Sequence, residues 1–131
     1  MAYTGVAVSD PVFNTCFADQ QLGYSAAAES AVTQLTSKAT AVTANTSNIQ
    51  ITMNNAALAA GATVSFTLNN SLISSRDVLN VNVSGGNATA GTYTTFVSTI
   101  TTGSVVLSLY NISGGSLSEA VKLNVAIIHG A

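Results

Sequence analysis

Charge is scarce in this chain. Only Lys38, Arg76 and Lys122 are basic and five residues are acidic, so charged side chains make up 6% of 131 residues, where an ordinary domain carries about a quarter. Disorder does not account for this, because disordered chains pair high charge with few apolar residues, and this one is 47% hydrophobic. Three cations and a net charge of −2 supply no basic patch for a nucleic-acid backbone, so no nucleic-acid partner is expected. Cysteine occurs once, at Cys16, which excludes a disulfide framework and a cysteine metal cluster. No apolar run approaches the ~20 residues that cross a bilayer, and no membrane partner is expected. The start, MAYTGVAVSDP, lacks a basic segment ahead of a continuous apolar core. No secretory leader is therefore expected, and synthesis in a cytoplasm is.

Histidine is as rare as cysteine. A Ser/His/Asp arrangement must draw on His129, third from the end, where a fraying terminus is a poor place to hold a general base against a nucleophile. His129 therefore reads as a surface tail residue. One histidine and one cysteine do not make the three or four ligands of a zinc site. Asp10, Asp19, Glu29, Asp77 and Glu119 show no spacing that pairs two carboxylates for glycoside hydrolysis. Gly85-Gly86 and Gly114-Gly115 match no phosphate-binding loop and read as hairpin glycines. The expectation is a chain with no catalytic, cofactor or metal site, and no enzyme.

What the chain has in abundance is threonine, serine, asparagine and apolar alternation. Val105, Leu107 and Leu109 alternate with Val106, Ser108 and Tyr110; Val121, Leu123, Val125 and Ile127 alternate with Lys122, Asn124, Ala126 and Ile128. That period of two marks strands with one face on a core. The same pattern recurs at Ile49–Met53, Val64–Leu68 and Asp77–Ser84. Residues 92–100 (TYTTFVSTI) alternate less cleanly, with Tyr93 and Val97 on one side and Phe96 and Ile100 on the other, which suggests cover on both faces. Residues 25–38 are ambiguous: their alanines favour helix, while Val32-Thr33 favours a strand starting near Ala31. A second short strand is expected within residues 40–44. About seven or eight short strands joined by Gly/Asn/Ser turns indicate an all-β, antiparallel β-sandwich or jelly-roll-like domain, with a closed barrel as the alternative.

Residues 1–24 stand apart from this domain, which occupies residues 25–131. They hold the only proline, Pro11, and no lysine or arginine, and their apolar side chains include Tyr3, Val6, Val8, Val12, Phe13, Phe17 and Tyr24. An aromatic-bearing segment with weak regular structure reads as an extended arm that docks on a partner; the plainer alternative has its aromatics packing on the chain's own sandwich. A surface short of charge offers little repulsion between copies, and no predicted strand carries the Lys or Pro guards common on exposed edges, apart from Lys122. Both features favour self-assembly. Tyr93, Phe96 and Tyr110, with the Arg76–Asp77 pair, are the candidate subunit interface, since aromatics are favoured there.

Four strings carry a resemblance: TQLTSKATAVT (33–43), NIQITMNNAALAAGATVSFTLNNSLI (48–73), DVLNVNVSGG (77–86) and VLSLYNISGGSLSEAVKLNVAII (106–128). Together they make the block from Thr33 to Ile128 resemble a β-sandwich module of tailed-bacteriophage virion structural proteins. The resemblance implies a non-enzymatic protein that assembles, often as a trimer, on capsids or in fibres. A single sandwich with an arm and no heptad shaft fits a capsid decoration (cement) protein. The implied partners are the major capsid protein and a homotrimer of the chain itself, and the implied location is the capsid surface after synthesis in a bacterial host. A head or tail fibre domain binding host-surface glycans is the alternative.

Overall fold

The structure is a computed structural model, and it describes residues 12–130; Tyr3, Val6 and Val8 of the candidate arm lie outside the described residues. After one 3-10 turn at Ala26–Ala28, eight strands follow. They are β1 (Glu29–Thr33), β2 (Val42–Thr43), β3 (Asn48–Thr52), β4 (Thr63–Asn69), β5 (Val78–Gly85), β6 (Tyr93–Thr101), β7 (Ser104–Asn111) and β8 (Lys122–Ile128). The ambiguous alanine run thus forms a single turn, and the β-branched stretch after it forms the strand.

The strands make two four-stranded sheets, ordered β1-β3-β8-β5 and β2-β4-β7-β6. This is a β-sandwich. Strands β7 and β8, which show the clearest alternation in sequence, are interior strands of the two sheets. Their inward rows, Val105, Leu107 and Leu109 against Leu123, Val125 and Ile127, are fully buried. Ile49 and Ile51 extend one side of the core, and Phe66 and Leu68 extend the other. Met53, Leu58, Ile73 and Val121 plug it from the connections. Each such side chain contributes about 1.5–3 kcal/mol of burial.

Three expectations need correcting. The Gly-Gly pairs are not hairpin glycines: β7 and β8 lie in different sheets, as do β5 and β6, so each connection passes over the core from one sheet to the other. The reason is that β7 and β8 each bury one full apolar row, and those rows face each other across the core instead of lying side by side. Asn111 pins the β7–β8 crossing, its amide donating to the Leu58 and Gly115 carbonyls at 2.9 Å while its oxygen accepts from the Ser113 N–H. At Gly86 the φ is +79°, and a Cβ would stand 2.1 Å from the Ala120 carbonyl oxygen; only glycine fits there.

The second correction concerns β6. Its ladder to β7 shifts register between Val97 and Thr99. This bulge inserts an extra residue and returns Ile100 to the core side, with Tyr93 and Val97. Phe96 alone remains outward. The sheets are also not wholly antiparallel, since β1 pairs with β3, and β2 with β4, in parallel. In each case the intervening strand belongs to the opposite sheet, which supplies the crossover that parallel pairing needs.

Candidate functional site

Residues 12–25 carry no helix or strand. Val12, Phe17 and Leu22 are 95%, 90% and 87% exposed, and Phe13 is exposed with them. Tyr24 differs, because its hydroxyl donates to the carbonyl of Ile127, near the end of β8. One aromatic therefore tethers the segment to the sandwich while the others stand away from it. The hollow along residues 20–25 is lined by those consecutive residues themselves and is open to solvent. What this segment offers chemically is apolar surface.

The five candidate interface residues divide. Phe96 is outward on β6 and Tyr110 outward on β7. Phe96 pairs with Ser108 and Tyr110 with Thr94, so the two rings are diagonal neighbours on one sheet face. Beside them Ser108 Oγ lies 2.7 Å from Ser65 Oγ and 2.5 Å from Ser98 Oγ. Tyr93 is buried on the inner side instead. Among the described residues its hydroxyl has no hydrogen-bond partner, and neither does Oε2 of the neighbouring Glu119. Burial, with the Glu119 carboxylate beside it, pushes the Tyr93 phenol up to about 12.

Arg76 and Asp77 also separate. Arg76 is exposed and Asp77 is buried. The Asp77 carboxylate accepts from the Ser74 N–H at 2.9 Å, the Ser74 hydroxyl at 2.8 Å and the Gly130 N–H at 2.8 Å, and the side chain paired with it is His129, not Arg76. The Ser74 N–H leads in holding it down at about 2, against desolvation, with Gly130, the Ser74 hydroxyl and His129 adding to the effect.

Sequence reasoning missed the cluster around Asp77. His129 Nδ1 lies 3.2 Å from Asp77 Oδ2, and His129 Nε2 lies 2.9 Å from Ser47 Oγ. Three adjacent strands deliver these groups: Ser47 precedes β3, Asp77 precedes β5 and His129 follows β8. Because β8 runs antiparallel to both neighbours, its end meets their beginnings. The local signal was Ser74-x-x-Asp77, a spacing at which the carboxylate can accept from the serine; nothing local pointed to Ser47.

A second buried group lies elsewhere. Lys38 donates to the carbonyls of Asn54 and Glu119. Burial lowers its pKa, opposed by the Glu119 charge. On the outer face of the first sheet, Asn48, Gln50, Asn80, Asn82 and Asn124 alternate with the buried rows, and Gln50 Nε2 donates to Asn124 Oδ1 at 3.1 Å. Among the described residues no three His, Cys, Asp or Glu side chains are arranged to hold a metal ion. No protein-family model, curated protein or solved structure matches the chain.

Proposed function

We propose that this chain is a virion structural protein of a tailed bacteriophage, a capsid decoration protein that binds the major capsid protein lattice as a homotrimer and reinforces the head. The carrying observation is the set of exposed apolar side chains Val12, Phe13, Phe17 and Leu22 on a segment without helix or strand, joined to a β-sandwich. The scarcity of charge and the resemblance of residues 33–128 to phage virion modules support the same reading. Burying four such side chains on a capsid is worth roughly 6–12 kcal/mol gross. Ordering the segment costs about 1–2 kcal/mol per residue, so a single arm binds weakly. Three arms on one trimer gain by effective concentration, which is why the trimer belongs to the proposal. Phe96 and Tyr110 form the candidate contact between subunits. The test is the copy number in purified particles, by quantitative mass spectrometry. A simple ratio to the major capsid protein is expected, and a handful of copies per particle would contradict it.

The five outward amides favour a second reading, a fibre or knob domain that binds host-surface glycans, because amides both donate to and accept from sugar hydroxyls. Asn82→Ala with Asn124→Ala would then abolish adsorption to cells while leaving capsid binding intact.

A further inference from the structure

The Ser47–His129–Asp77 cluster has an order that a simple structural clasp does not need. Asp77, held at about 2, is a carboxylate at neutral pH and only accepts hydrogen bonds. In neutral His129, Nδ1 is therefore the donor, which leaves Nε2 with a lone pair facing Ser47 Oγ at 2.9 Å. Serine, imidazole and carboxylate thus stand in the relation of nucleophile, base and orienting group.

The support around the cluster is rigid. The turn bearing Ser47 is fastened by Ile127 N–H to the Ser47 carbonyl at 2.9 Å, by the Asn70 amide to the Thr46 carbonyl at 2.7 Å, and by Ser71 N–H to Asn45 Oδ1 at 2.9 Å. Gly130 lies so close to Arg76 that a Cβ would stand 2.4 Å from the Arg76 carbonyl oxygen. The imidazole's neighbour is thereby drawn onto Asp77. His129 is 40% exposed at its side chain while Ser47 is 8% exposed, so the imidazole borders solvent and Ser47 is nearly covered.

We propose that Ser47 is an activated nucleophile for acyl transfer from small activated esters, with His129 as its general base and Asp77 as the positioning residue. Ser47 Oγ bonds to the ester carbonyl carbon as its proton passes to His129 Nε2. The carbon–oxygen bond to the alcohol breaks, and the alcohol leaves with that proton. Water, deprotonated by the same nitrogen, then attacks the acyl-serine, releasing the carboxylic acid and returning the proton to Ser47. Nothing beyond water and the ester is consumed. This role is independent of the arm.

The test is covalent labelling of the full chain with a fluorophosphonate, in which Ser47 Oγ bonds to phosphorus and fluoride leaves, with peptide mapping by mass spectrometry. Labelling at Ser47 is expected on the order of 10²-fold faster than at the exposed Ser71, the scale of general-base assistance, and to fall at acid pH. His129→Gln should remove both the rate advantage and the acid limb. Asp77→Asn, whose amide can fix the opposite tautomer, should give the same slow, pH-independent labelling in its folded fraction. Ser47 labelling no faster than Ser71 in the native chain would overturn the proposal and leave the cluster a structural clasp.

Discussion

The Lys38 ammonium donates to the Glu119 carbonyl at 2.6 Å, joining positions 81 residues apart. The same nitrogen donates to the Asn54 carbonyl, so one buried cation fastens the β1–β2 connection to the β3–β4 and β7–β8 connections. Lys38→Met keeps the volume and deletes both bonds. It should destabilise the fold by about 1–3 kcal/mol at pH 7, the cost of leaving buried acceptors unmade, measured by urea unfolding. Because burial lowers the Lys38 pKa from 10.5, the unfolded chain binds the extra proton just below that value. Native stability relative to Lys38→Met should therefore rise as pH approaches 10.5.

Acid should act through Asp77. Its carboxyl titrates at about 2 in the fold against 3.8 ordinarily. The stabilisation is present above pH 3.8 and is lost as pH falls towards 2. About 2 kcal/mol is expected to disappear over that interval. Chemical unfolding at pH 5 and pH 2 measures it, and Asp77→Ala should lack that part of the decline.

Alkali should act through Tyr93 with the opposite sign. A phenol at about 12 in the fold against 10.0 ordinarily keeps its proton longer when folded. Its contribution is complete below pH 10 and is lost as pH rises towards 12. Tyr93→Phe removes a hydroxyl that has no partner among the described residues, so its stability at pH 7 should stay within about 1 kcal/mol of native. It should also unfold less steeply with pH between 10 and 12.

The core sets the largest effects. Leu107→Ala, at a fully buried position of β7, should cost about 2–5 kcal/mol. Ile128→Ala, on the exposed face of β8, should stay within about 0.5 kcal/mol. Thermal unfolding of the two variants makes the comparison.

These contrasts reflect how far the sequence could be read. The rows of β7 and β8 were legible because each strand buries one face completely, which writes a strict period of two. The residues 92–100 were misread because a bulge at Val97–Thr99 breaks that period midway, and periodicity cannot report an inserted residue. The crossing of β7 to β8 was misread because Gly114-Gly115 mark a reversal without saying which sheet receives the next strand. The exposure of Phe13 and Phe17 was not legible, because an aromatic-bearing segment with weak regular structure fits an extended arm and a segment packed on its own sandwich alike. Ser47, Asp77 and His129 were not legible as a group, because only the order β3-β8-β5 brings the three strand ends together.

The exposed apolar segment is proposed to bind a capsid. Phe13→Ser with Phe17→Ser alters only side chains that stand in solvent, so the sandwich should melt at the native temperature. Binding of native and variant protein to capsids stripped of it, measured by co-sedimentation, tests the claim most directly. The expected result is an affinity lowered by at least about 100-fold, from the loss of two aromatic burials. Saturation of the capsids by the variant with unchanged affinity would contradict it.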